Sequence, residues 1–111
     1  MTRGSLELLK FDRIIHEPER LMILTALYPV AKMEYLRLLK VWKFKQGRLS
    51  SHLAVLEKAG YVAIEKRFKG KYPQTICGMT KKGREALALY AEMLKQVTKV
   101  TEGEQSLGSG V

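Results

Sequence analysis

Met33 to Gly60 reads MEYLRLLKVWKFKQGRLSSHLAVLEKAG, and its apolar spacing resolves into two short helices joined by a tight corner. In the first half Leu36 and Leu39 lie three apart, flanked by Tyr35 and Trp42, which predicts one helical stripe. In the second half Leu49, Leu53 and Leu56 recur at i, i+4 and i+7, and Gly60 stands where a left-handed residue ends many helices. Lys43, Phe44 and Lys45 between them are too few for anything but a corner, with Phe44 as the apolar pin beneath it. Two helices meeting this way make a helix-turn-helix, whose second helix is shaped to enter a DNA major groove.

The second helix carries the chemistry as well as the shape. Counting about 100° per residue from Leu49, the leucines fall near −20 to 40° while Gly47, Arg48, Ser51, Val55 and Lys58 fall between about 160° and 260°. That outward face is small, hydroxylated and basic. Arg48 offers a bidentate fork suited to guanine and Gln46 one suited to adenine, while Ser50, Ser51 and His52 are of types that reach base edges or phosphates. The competing reading is an ordinary solvated helix face.

The whole chain has 111 residues, one domain by length, and 46% hydrophobic content, enough for a modest core without metal or disulfide support. No apolar run approaches the length of a membrane span, and MTRGSLELLKFDR lacks the apolar centre of a signal peptide. A cytoplasmic location is the expectation, and the single Cys77 fits a reducing compartment. The net charge of +9 is unevenly placed. Lys32 to Lys71 holds 11 basic residues against Glu34, Glu57 and Glu65, a net +8, which leaves +1 for everything else. Such an electrostatic face suits a polyanion. A membrane surface is disfavoured because the basic helices lack a large apolar outward face.

Outside the central stretch, Ser5 to Ile15 has Leu6, Leu9, Ile14 and Ile15 at roughly helical spacing and predicts a short helix. Glu17-Pro18 marks a new helix start, with Leu21, Leu24 and Leu27 plus Ile23 as its core face, and Pro29 stops it. Tyr61 to Phe68 changes to a period of two and predicts a strand, with Val62 and Ile64 on one face and Glu65 and Arg67 alternating with them. Lys69 to Pro73 is a hairpin tip, and Gln74 to Met79 the return strand, with Pro73 demanding an unpaired edge at its position. Thr80 caps a long last helix in which Leu87, Tyr90, Leu94 and Val97 form one stripe and Ala86, Leu89 and Met93 widen it. A stripe that wide predicts one face in the core and another against a second subunit. From Thr101 the composition TEGEQSLGSGV predicts a disordered tail over 101–111, and no repeats are present.

These residues resemble the winged-helix transcriptional regulators of the MarR and ArsR type, in particular their small stand-alone members. The matching positions are Asp12-Arg13-Ile14-Ile15-His16, Pro18, Arg20-Leu21, Ile23-Leu24, Leu49-Ser50-Ser51-His52-Leu53 and Leu56 to Val62. They continue through Ile64-Glu65-Lys66, Gly70, Pro73, Thr75, Thr80 and Gly83-Arg84, so the resemblance spans about Leu9 to Val97. It implies a mainly α winged helix-turn-helix over residues 1–100, helices with a two-stranded wing and a long C-terminal helix, acting on double-stranded DNA as a homodimer. The recognition helix would be Gln46 to Ala59, with Gln46, Gly47, Arg48, Ser50, Ser51 and His52 facing DNA and Lys43 and Lys45 near phosphates. The wing would be Arg67 to Gln74, with Lys66, Arg67, Lys69, Lys71 and Tyr72 as its contacts. Leu6, Leu9, Leu87, Tyr90, Met93, Leu94 and Val97 would form the dimer interface. Two departures stand out: Lys43 and Lys45 replace the usual glycine and serine or threonine cap, and the wing lacks the Asp-x-Arg signature.

Other chemistries fare worse. Ser50, Ser51 and His52 are helix neighbours pointing about 100° apart with no acid to orient the histidine, so no enzyme is implied. Asp12 and His16 at i and i+4 make at most half a metal site, and neither a metal nor another cofactor is expected. Cys77 alternates with Thr75 and Met79 on a strand, where a packed, inert thiol is the ordinary state. Trp42 and Phe44 among lysines suggest base stacking, but an apolar underside of the corner explains them better. Gly70-Lys71 is not a phosphate loop, because Glu65 occupies the upstream glycine position. Two further functions stay open: a winged helix used as a protein-interaction module, and a sensor with a small hydrophobic effector at the dimer interface.

Overall fold

The computed structural model describes residues 11–109, with side chains through residue 103. Leu6 and Leu9, and most of the helix expected over Ser5 to Ile15, lie outside the described residues. Where that segment enters the structure it is a turn rather than a helix. The Asp12 carboxylate accepts from the amides of Ile14 at 2.9 Å and Ile15 at 3.2 Å, which offers the backbone an alternative to helical bonding. Its second oxygen accepts from the Tyr61 hydroxyl, pinning this turn to a residue 49 positions along the chain.

Helix α1 runs Pro18–Leu27, with Glu17 as N-cap accepting from the Arg20 amide at 2.8 Å and proline at the first position, where a missing N–H costs nothing. Ile23, Leu24 and Leu27 are buried. Ala31, in the left-handed region at φ 67°, then turns the chain into a short strand, β1, Lys32–Glu34, which the sequence reading lacked. Three residues are too few to display a period of two.

Helix α2, Tyr35–Val41, follows directly. Its buried residue is Leu38, while Leu36, expected in the stripe, is 57% exposed. With leucines at 36, 38 and 39, spacing alone does not choose a face. The pairing of Met33 with Cys77 sets the rotation at which the helix leaves β1, turning Leu38 inward and leaving Tyr35 and Leu39 half-buried against the core.

The corner is tight and built without glycine. Lys43 takes φ 53°, and the Phe44 amide reaches back to the Leu39 carbonyl at 3.0 Å, while the Phe44 ring packs against the core as its pin. Helix α3, Gln46–Lys58, has Lys45 as an N-cap with no side-chain bond. Leu49, Leu53 and Leu56 are buried, and Gly60 at φ 83° ends the segment as the sequence implied.

Strands β2, Val62–Lys69, and β3, Tyr72–Met79, form an antiparallel hairpin paired from Val62↔Met79 to Lys69↔Tyr72. Gly70, at φ 64°, supplies the first turn position. β3 is the central strand, in the order β1-β3-β2. Pro73 is tolerated there because β1 pairs only with Ile76 to Gly78, so β3 has an open edge at the proline.

Helix α4, Lys81–Ser109, starts from Thr80, whose hydroxyl donates to the Gly60 carbonyl at 2.6 Å and accepts from the Gly83 amide at 2.9 Å. Gly83 is buried, and a Cβ there would overlap the Tyr61 carbonyl, so α4 seats directly on the chain entering β2. The helix continues through Thr101, where a structureless tail was expected. Extending a helix already twenty residues long adds one bond per residue fixed, so polar composition alone does not stop it. The Thr101 hydroxyl turns back to the Thr98 carbonyl at 2.9 Å.

One core joins these elements, from Ile15 through α1, α2 and α3 to Val62, Cys77 and Tyr90. Tyr90, expected at a dimer interface, lies instead in the chain's own core. It is 4% exposed within its own chain, its hydroxyl 2.8 Å from His16 Nδ1 and its ring against Phe11. With His16 bonded to Tyr90, and Asp12 to the Ile14 and Ile15 amides and the Tyr61 hydroxyl, both members of the Asp12–His16 pair that suggests half a metal site are engaged.

Candidate nucleic-acid interface

With its leucines turned inward, α3 presents Gln46, Gly47, Arg48, Ser50, Ser51 and Ala54 to solvent. A Cβ at Gly47 would meet nothing within 4 Å, so this part of the face is open and low, as close approach to a groove requires. The Tyr35 hydroxyl donates to the Gln46 carbonyl at 3.1 Å and lies 2.8 Å from Ser50 Oγ. That bridge holds the first turn of α3 on α2.

Arg48 is largely exposed and ion-paired with Glu19 of α1. The sequence marks Glu19 only as an acid at the start of its helix; its pairing with Arg48 joins two helices across 29 positions and leaves no local signal. Its effect is to hold one end of the guanidinium and limit the directions in which Arg48 reaches outward.

His52 does not share this face, contrary to the sequence reading. It is half-buried between α1 and α3, with Nδ1 accepting from the Arg20 guanidinium at 3.3 Å and lying 3.7 Å from Glu17, and with Nε2 3.9 Å from Glu19. One step of about 100° from Ser51 brings it round to α1, whose acidic first turn receives it. Burial works against the charge on Glu17, but amide bonds from Arg20 and Glu19 and the neighbouring His52 and Arg20 hold its carboxyl below the usual 4.5. Glu17, Glu19 and His52 could together offer three ligand atoms within 4.8 Å of one another, yet Arg20 and Arg48 already engage them.

The wing stands beside this helix. A notch of about 340 Å³ separates them, lined on one side by Gln46, Ser50, Leu53 and Ala54 and on the other by Ile64, Lys66 and Thr75. Strand alternation sorts the wing cations: Lys66 faces the notch, whereas Arg67, Lys69 and the paired Tyr72 lie on the opposite face. All four, with Lys71 at the turn, are exposed. At the corner Lys43 and Lys45 are exposed as well, with Trp42 partly so beside Arg48 and Glu19. Cys77 is fully buried, and burial pushes its thiol up to about 11, away from thiolate chemistry at neutral pH.

A helix-turn-helix whose second helix is flanked by a basic two-stranded wing defines a winged-helix DNA-binding protein. The family described as "Winged helix DNA-binding domain" matches residues 20–98. A transcriptional regulator homologue from Pyrococcus horikoshii OT3 is similar in structure, with a TM-score of 0.82 and 30% identity over 90% of this chain and 98% of that one. Reduced AbfR bound to DNA shares the fold at 18% identity and a TM-score of 0.65, over 97% of this chain and 85% of that one. NadR in complex with 4-hydroxyphenylacetate does so at 17% identity and 0.59, over 93% and 76%. No curated protein sequence matches the chain. The chain belongs to the winged-helix DNA-binding family of transcriptional regulators. Among the described residues, no helix is long and apolar enough to cross a membrane.

Proposed function

We propose that the chain is a homodimeric, sequence-specific regulator of transcription that binds double-stranded DNA and acts as a repressor by occupying its operator. The observation that carries this is the shared exposure of the Gln46 to Ser51 face and the lysine-bearing wing across one notch. A major groove about 12 Å wide accepts a helix such as α3 while a neighbouring hairpin tracks the phosphates. Arg48, Gln46 and Ser51 read bases; Lys43, Lys45, Lys66, Lys69 and Lys71 supply the salt-dependent, sequence-blind share.

Dimerisation falls to the N-terminal segment, with Leu6 and Leu9, and to α4. Leu89, Leu94, Val97 and Val100 remain exposed along it, and Leu87 and Met93 are half-buried. Two copies joined there would set their recognition helices in successive major grooves, roughly 34 Å apart. Selection of bound sequences from random duplex DNA tests the reading. A near-palindrome with half-sites one turn apart is expected, and no enrichment at any salt concentration would overturn it in favour of a protein-interaction module.

A second reading is favoured by one observation. Between α1 and α4 lies an apolar groove of about 610 Å³ lined by Leu21, Tyr28, Leu87 and Leu94 among others, a size suited to a small hydrophobic effector at the dimer interface. NadR, similar in fold, has been solved in complex with 4-hydroxyphenylacetate. A shift in melting temperature with 4-hydroxyphenylacetate or similar aromatic acids supports a sensor; no shift across such a set counts against it.

A further inference from the structure

Phe68 and Tyr72, at the end of the wing, are 74% and 77% exposed, the most exposed large hydrophobic side chains among the described residues. Neither takes part in any aromatic or cation–π pair found there. Their support is stiff, because the hairpin stays paired through Phe68↔Pro73 and Lys69↔Tyr72. Alternation puts Phe68 on the notch side with Ile64 and Lys66, and Tyr72 on the other.

The surroundings select the occupant. Residues 66–72 read KRFKGKY, four cations and no acid. A second copy would bring four more positive charges, and an apolar protein groove would strip water from all of them, whereas a polyanion neutralises them. Reach points the same way. From Ile64, which lines the notch, to Phe68 the strand advances about 13 Å, close to the ~12 Å width of a major groove. With α3 in the major groove, Phe68 therefore passes the bordering phosphates.

We propose that Phe68 is an apolar wedge that enters the minor groove flanking each half-site and partly unstacks one base step, kinking the duplex; this rests on duplex DNA being the partner. Inserted apolar side chains do this elsewhere, and pyrimidine–purine steps yield most readily. The wing then reads deformability where it makes no base hydrogen bond, which supplies selectivity in place of the absent Asp-x-Arg pattern. A TA or CA/TG step should recur at a fixed distance outside the bases read by α3.

The test uses the full chain and a duplex enriched from the random pool, carrying 2-aminopurine at each flanking step in turn and a donor–acceptor dye pair at its ends. Wild-type binding should raise 2-aminopurine fluorescence at one step and change end-to-end transfer. Phe68→Ala should abolish both and weaken binding about tenfold, with an unchanged salt slope. Phe68→Leu, still apolar, should keep part of the rise, and Lys69→Ala should keep all of it while lowering the salt slope by about one. Phe68 is exposed, so equal melting temperatures separate these effects from misfolding. No fluorescence rise with the wild type, or a full rise with Phe68→Ala, overturns the wedge while DNA binding stands. A wild-type chain that enriches no duplex removes the DNA reading and the wedge together.

Discussion

Arg48 shows how much one side chain depends on a partner far away in sequence. Its place on the outward face of α3 follows from counting along a helix; the Glu19 carboxylate that aims it does not, because that contact exists only once α1 packs on α3. His52 illustrates the reverse. Its type and position suggested DNA contact, but its rotation about the helix brings it to α1 and into Arg20 and Glu17. Arg48→Ala should relax preference at one base pair by about 1–3 kcal/mol, whereas Lys71→Ala should weaken all sequences alike. Competition binding with specific and random duplexes checks this, and equal losses on both for Arg48→Ala would remove it from base reading. Cys77, with its thiol raised from 9.0 to about 11, should hold about a hundredfold less thiolate than an unperturbed thiol. Native-state alkylation at neutral pH should be slower than in denaturant by at least that factor, and comparable rates would mean that the sulfur is accessible.

At the level of elements, the long periodic signals were legible and the short ones were not. The leucines of α3, the threonine start of α4 and the glycine turn of the wing each carry a local physical signature. β1 and the facing of α2 do not, since a strand of three residues is set by its pairing with β3 and the seven-residue helix follows directly from it. The corner exposes a conflict between fold and charge. Lys43 occupies a left-handed conformation that costs a non-glycine residue about 1–2 kcal/mol, and Lys45 leaves α3 without a side-chain cap. Both lysines add positive charge where phosphates would lie. Lys45→Ser should therefore stabilise the chain by about 1 kcal/mol while weakening DNA binding and reducing its salt dependence. Thermal unfolding and salt titration together check the trade. Gain in stability without loss of affinity would place Lys45 off the interface.

Across the whole molecule, Tyr90 marks the boundary between what α4 does for its own chain and what it leaves open. Sequence periodicity merged the two, because a wide apolar stripe looks the same whether one partner covers it or two. Through Tyr90 the helix closes the core against His16 and Phe11, while Leu89 on its outer side and Leu94, Val97 and Val100 beyond remain exposed. Leu94→Glu combined with Val97→Glu should turn a dimer into a folded monomer by light scattering and weaken binding to a palindromic duplex far more than to a half-site. A double variant that stays dimeric would move the interface elsewhere.

The arrangement of helix and wing is tested most directly by mapping amide chemical shifts of the labelled protein as a selected duplex is added. Shifts concentrated over Gln46 to Ser51 and over Lys66 to Tyr72, appearing together at the same DNA ratio, are the predicted result. Shifts confined to α4, or to the wing without the α3 face, would contradict it.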